Sequence, residues 1–111
     1  LADALRPLAG ELALAFVFGS LARGDEQPGS DVDLMLIGSP AFADVVKALY
    51  PAQETLQREI NPAIYSPQEI SKHIAAGDPF IREILAKPKL FVIGTEHDLG
   101  TFAGDSQAAK L

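Results

Sequence analysis

Apolar positions along the chain alternate between strand-like and helix-like spacing. Leu12 to Phe18 is a nearly continuous apolar run ending at Gly19, the pattern of a central strand covered on both faces. Asp31 to Ile37 alternates, with Val32, Leu34 and Leu36 on one face and Asp33, Met35 and Ile37 on the other, which predicts a second strand. Between them, Gly24 to Ser30 has the Gly, Pro and acidic content of a solvated loop. Ser39-Pro40 followed by Phe42, Val45, Val46 and Leu49 predicts a helix with Ser39 as its N-cap, broken or restarted by Pro51. Ile60 and Ile64 alternate with Glu59, Asn61 and Tyr65, so a third strand is expected over Arg58 to Tyr65, and Pro62 assigns it to an edge or a bulge.

Ser66-Pro67-Gln68-Glu69 supplies an N-cap, a proline at the first helical position and a glutamate placed for a capping box. That helix is expected to end near Gly77. Asp78-Pro79 repeats the starting signal, with Phe80, Ile81, Ile84 and Leu85 as the apolar stripe. At the amino end, Ala2 to Leu8 reads as a short helix closed by Gly10, and at the other end Lys89 to Ile93 reads as a short strand. Thr95 is placed to cap a last turn through Phe102. The whole is a compact α/β unit, one domain over residues 1–103, with 104–111 expected to be a frayed tail.

Composition narrows the function. With 111 residues, 48% of them apolar, the chain can bury a core without staples. It has no cysteine, which excludes disulfides, thiolate-bound zinc and thiol catalysis and fits a reducing, cytoplasmic location. A formal charge of −6 repels polyanions, so direct nucleic-acid binding by this segment is not expected. No run is long enough to cross a membrane. The start, Leu-Ala-Asp-Ala-Leu-Arg, has neither an initiator Met nor the features of a signal peptide, and fits a fragment or a processed product.

The chemistry concentrates in Gly19-Ser20 and Asp31-Val32-Asp33. Two residues apart on a strand, Asp31 and Asp33 share one face with alpha carbons roughly 6.5 to 7 Å apart. At that separation and an effective dielectric near 20 they repel by about 2 kcal/mol. An arbitrary Asp-x-Asp usually does no more than begin a strand. Here the same face runs on into Met35 and Ile37, so the acids emerge at a partly dehydrated rim, where a hard divalent cation would relieve the repulsion. Gly19 permits a tight turn, Ser20 offers a hydroxyl and an amide, and Leu21 to Arg23 can form the first helical turn behind them, an arrangement suited to phosphate. Arg23 lies three residues beyond Ser20, where it can reach the same anion. The pairing of a phosphate-cradling turn with an acid pair points to a metal–nucleoside triphosphate site.

Gly19-Ser20-Leu-Ala-Arg23-Gly24, a short acidic loop, and Ser30-Asp31-Val-Asp33-Leu-Met-Leu-Ile-Gly38 resemble the signature of the minimal nucleotidyltransferases of the DNA polymerase β superfamily. The signature is confined to residues 19–38. Weaker similarity over residues 12–94 includes Arg58 to Glu69 and Pro88 to Gly94, and points to a subgroup often fused to a winged helix-turn-helix, which these 111 residues do not include. The resemblance implies a small mixed sheet of about four strands flanked by helices. It implies that Gly19, Ser20, Arg23 and Ser30 hold an NTP, ATP first among the candidates. It also implies that Asp31 and Asp33 bind Mg²⁺, with Mn²⁺ as a substitute, while an acceptor hydroxyl attacks the α-phosphorus and pyrophosphate leaves.

The family usually adds a third carboxylate from the next strand. The matching position here is Asn61, whose amide can ligate a metal but cannot act as a base. Glu59 shares that face and would serve only after a shift in register. Three functions stay open on this reading. The chain is an active transferase acting on a small molecule or protein, an inert nucleotide-binding module of a transcription regulator, or the antitoxin-like partner of a toxin protein. A second subunit or further segment would supply the acceptor surface. Phosphatases of the haloacid dehalogenase type also use Asp-x-Asp, but with the apolar strand before the acids rather than after them. His73 and His97 show no persuasive zinc spacing, Lys87 and Lys89 read as a solvated basic turn, and Tyr65 reads as a packing residue with base stacking as the alternative.

Overall fold

The computed structural model describes residues 2–19, 24 and 31–100. The first helix, α1 (Ala2–Leu5), passes into a 3₁₀ helix over Arg6–Glu11 instead of closing at Gly10. Pro7 has no N–H to donate to the carbonyl of Asp3, so the α-helical ladder stops and tighter winding carries the chain to Glu11. Strand β1 (Leu12–Phe18) follows directly, then β2 (Val32–Gly38).

Four strands form one mixed sheet in the order β3-β2-β1-β4, where β3 is Ile60–Tyr65 and β4 is Leu90–Ile93. β1 is antiparallel to both β2 and β4, while β3 runs parallel to β2. β1 is interior, as its apolar run predicts. A bulge at Ala13 lets Leu12 and Ala15 face the same side, leaving Ala13 exposed. β3 is an edge strand, the position that Pro62, lacking a donor, demands.

Helix α2 (Phe42–Leu56) departs from expectation twice. Its N-cap is Ala41 and not Ser39, because the Ser39 N–H is committed to the carbonyl of Glu11 at 2.9 Å and Pro40 keeps Ser39 extended. Pro51 neither breaks nor restarts it. Pro51 and Lys47, whose carbonyl loses its donor, both lie on the solvent side, where water can replace the bond. On the opposite side Val45, Ala48, Leu49 and Ala52 pin both halves to the sheet.

The sheet is covered on both faces. α1, the 3₁₀ helix and α2 close one face over Leu34, Leu36, Ala15 and Val17. Helices α3 (Pro67–Ala75), α4 (Pro79–Ala86) and α5 (Glu96–Gly100) close the other over Leu14, Phe16, Met35 and Ile37. All three of these helices start where the sequence places a cap. The Glu69 N–H donates to Ser66 Oγ at 3.0 Å while the Ser66 N–H donates to Glu69 Oε1 at 2.9 Å, completing the capping box. The Phe80 N–H donates to Asp78 Oδ1 at 2.9 Å, and Thr95 and Asp98 exchange the reciprocal pair at α5. Among the described residues no helix is long and apolar enough to cross a membrane.

Asp78 also holds His73, with Nδ1 to Oδ2 at 2.9 Å across the Gly77 turn. Partial burial pushes the Asp78 carboxyl up. The His73 hydrogen bond, the N–H groups of Phe80 and Ile81 and the His73 charge outweigh that effect and leave it below the usual carboxylate value.

Two outcomes follow from the caps. Ser66→Ala removes a reciprocal hydrogen bond and is expected to lower the unfolding free energy by about 1 kcal/mol in urea titrations. Asp78, lowered on folding, adds stability that is complete above its unfolded value of 3.8 and is lost as pH falls through the folded value. Asp78→Asn keeps a cap acceptor without the charge, so its stability should fall less steeply than the parent's between roughly pH 5 and pH 2. Parallel slopes would remove Asp78 from the acid response.

Candidate active site

Three strand ends meet at one rim of the sheet. Asp33, the second residue of β2, lies opposite Phe18 at the end of β1 and opposite Asn61 near the start of β3. The antiparallel and parallel pairings of β2 together place these positions side by side. Alternation along β2 sets Asp31 and Asp33 on the face of Met35 and Ile37, the face covered by α3, α4 and α5. Asp33 is half-buried and Asp31 is exposed.

The Asp33 carboxylate rests on the backbone of Gly19. A Cβ built at Gly19 would clash with Asp33 Oδ2, and Gly19 also has φ +80°, a conformation that L side chains rarely adopt. The turn after β1 and the acid on β2 are thus in direct contact. Of the turn and loop residues singled out from sequence, Ser20, Arg23 and Ser30 lie outside the described residues.

Asn61 Nδ2 donates to Asp31 Oδ2 at 3.2 Å. The third strand therefore brings its residue to the acid pair, and that residue is an amide. Glu59 is exposed, and what it contributes to the sheet is its carbonyl, which accepts from the Val32 N–H at 2.8 Å. Asp31 and Glu59 both border an open cleft of about 440 Å³ beside the end of α2. Among the described residues no group of three or more His, Asp and Glu assembles to hold a metal, so the carboxylate of Glu59 is not gathered with Asp31 and Asp33.

The residues set aside at the sequence level are placed more definitely. Tyr65 stands four positions beyond Asn61, opposite Ile37, with its ring edge-on to His73 at 5.2 Å. It packs there, at the far end of β3 from the acids. Lys89 is not a solvated basic residue: its side chain is only 4% exposed, and Nζ donates to the carbonyls of Leu85 at 2.9 Å and Lys87 at 2.8 Å, with Ile84 at 3.3 Å. It closes the C-terminus of α4, where unpaired carbonyls and the helix dipole favour a cation. Lys87 is exposed and borders a cleft with Phe18 and Gly19. The His73–Asp78 pair is legible only as a helix-end histidine facing the next helix's cap across a glycine turn.

Two carboxylates and an amide oxygen at one rim are hard donors suited to a cation such as Mg²⁺, which keeps several positions for water or phosphate oxygens. An incomplete protein cage of this kind leaves room for a polyphosphate to complete the coordination. A mixed sheet with helices on both faces, an acid pair opening the strand beside a glycine turn and an apolar strand behind it define a nucleotidyl-transfer architecture.

The chain belongs to the nucleotidyltransferase domain family, whose model matches residues 1–92. No curated protein matches it. Among solved structures, a chain of a toxin–antitoxin complex with AMP-PNP is similar at 16% identity and TM-score 0.61, covering 97% of this chain and 82% of that one. A chain of the MntA–HpeT toxin–antitoxin complex, in a variant with two aspartates two positions apart changed to glutamate, is similar at 14% identity and TM-score 0.61, with the same coverage. A chain of the tri-AMPylated Shewanella oneidensis HEPN toxin in complex with MNT antitoxin is similar at 14% identity and TM-score 0.51, covering 99% and 76%. At these identities the likeness establishes the fold, a four-stranded nucleotidyltransferase sheet.

Gly19 can be separated from a merely flexible turn. Gly24 also has positive φ, at +82°, but a Cβ there meets no atom of the described residues within 4 Å. Gly24→Ala is therefore expected to cost about 1 kcal/mol from backbone strain alone. Gly19→Ala should cost measurably more in the same denaturation experiment, because it must also displace the Asp33 carboxylate. Equal costs would show that the contact is slack.

Proposed function

We propose that this chain transfers a nucleoside monophosphate from an NTP, with ATP as donor, to a hydroxyl on a partner protein, as the antitoxin-like half of a two-protein system. The carrying observation is the meeting of Asp33 with Gly19 and of Asp31 with Asn61 at adjoining strand ends. Asp31 and Asp33 would hold Mg²⁺ or Mn²⁺, with Asn61 Oδ1 as a neutral third ligand after rotation of its amide. Gly19, Ser20, Arg23 and Ser30 would receive the triphosphate. The bound cation would neutralise the triphosphate and stabilise charge on the attacking and leaving oxygens. The acceptor oxygen bonds to the α-phosphorus, the bond from that phosphorus to the bridging oxygen breaks, pyrophosphate departs and the hydroxyl proton passes to solvent.

The choice of a protein acceptor is supported by the similar complexes, one solved with AMP-PNP and one holding an AMPylated toxin beside its antitoxin. The acidic charge of −6 supports a role without direct nucleic-acid contact, and the absence of cysteine supports a cytoplasmic setting. The working unit would be residues 1–103.

A second reading, an inert nucleotide-binding module, is favoured by one observation: Asn61 occupies the position next to Asp31 where a carboxylate base would stand. The two readings are separated by following label from the α-phosphate of ATP onto a co-expressed partner with Mg²⁺. Transfer that falls about 1,000-fold in Asp33→Ala, and rises in Asn61→Asp, is the expected outcome. Magnesium-dependent ATP binding without any transfer, in the parent and in Asn61→Asp alike, would establish the inert module.

A further inference from the structure

A cleft of about 170 Å³ opens beside the acid pair, lined by Phe18, Gly19, Phe80, Glu83, Ile84 and Lys87. Three features set it apart from an ordinary surface depression. It is continuous with the acid-bearing rim, because Gly19, which carries the Asp33 carboxylate on one side, forms part of its wall. It opens on the same side of the sheet, since Phe18 and Ile84 belong to the packing on the Met35 face. It also exposes an aromatic ring against expectation. In the stripe of α4, Ile81 and Ile84 are buried, whereas Phe80 is 49% exposed. Phe80 meets Phe18 edge-on, with centroids 6.1 Å apart and planes at 78°, which leaves a ring face free.

The polar groups are equally specific. Glu83 and Lys87 stand one helical turn apart, in the order that favours an ion pair. They form none in the structure, and neither has another polar partner among the described contacts. An ionised carboxylate only accepts hydrogen bonds. A flat ring bearing an amino group satisfies the cleft: the ring meets the open phenyl face, and the amino group donates to Glu83. Lys87 offers its charge toward the phosphates.

Building on the nucleotidyl-transfer reading, we propose that this cleft receives the nucleobase of the donor nucleotide, and that Glu83 makes the site select bases with an exocyclic amine. Phe80 supplies stacking and Glu83 supplies discrimination. A base with a carbonyl in place of the amine sets an oxygen against the carboxylate and is rejected.

Isothermal titration calorimetry of the full chain with Mg²⁺ and three probes, ATP, ITP and inorganic tripolyphosphate, tests this. ITP differs from ATP in carrying a carbonyl in place of the exocyclic amine and an N–H in place of the adjacent ring acceptor. ATP is expected to bind about tenfold more tightly than ITP. Glu83→Gln, whose amide can accept or donate, should bring the two affinities within about twofold of each other. Phe80→Ala should weaken both by about tenfold and keep their ratio. Neither variant should alter tripolyphosphate binding. If ATP and ITP bind equally to the parent, or if both variants keep the parent's ratio and affinities, the cleft is not the base site, while intact tripolyphosphate binding leaves the transfer reading standing. If no probe binds with Mg²⁺, both readings fall together.

Discussion

The contact between Asp33 and Gly19 is the constraint on which the rim depends. A Cβ at position 19 would press on the carboxylate, so a change in the turn after β1 would shift the acid on β2. Antiparallel pairing puts Phe18 opposite Asp33, and only a glycine one residue later, with positive φ, lets the backbone leave the strand beneath that carboxylate. An exposed acid pair would be a weak feature, because solvent screens it. Asp33 is instead half-buried against the backbone of the turn.

That location is kept by the packing behind it. Val32, Leu34 and Leu36 are buried on one face of β2, and Met35 and Ile37 on the other, so a slip of one residue would drive carboxylates into the opposite core. Burial on both faces therefore acts as a register lock for the acids. The caps on α3, α4 and α5, and Lys89 at the end of α4, secure the helices that close the acid-bearing face. Through α4 the same arrangement sets Phe80, Glu83 and Lys87 beside Gly19. Fold stability and the shape of the rim share these elements, whereas Asp31, exposed and bonded among the described residues only to an amide, contributes to the rim alone.

The amide that β3 brings to the rim sets its electrostatics. Asn61 donates to Asp31 where a third acid would repel it. The acid pair is thereby less costly to hold close, because the Asn61 amide donates to Asp31 without adding a negative charge.

Much was legible in the chain because it was local. Period-two and period-3.6 patterns located the four strands and the longer helices, the Ser66 and Asp78 caps were written in adjacent residues, and Asp31 and Asp33 share a face by alternation alone. What needed the tertiary structure was non-local. The parallel docking of β3 decides that Asn61, and not the Glu59 carboxylate, stands beside Asp31, since a two-residue difference in register leaves alternation unchanged. Pro51 stays inside α2 because its lost hydrogen bond faces water while both halves of the helix are pinned to the sheet, and Ser39 is denied its cap by a bond to Glu11. The Lys89 side chain is shielded because it folds onto the carbonyls that end α4, and Glu83 comes to line one cleft with Gly19 only because α4 packs over the end of β1. Periodicity reports which face a residue occupies; which strand or helix lies across from it is settled by packing between distant segments.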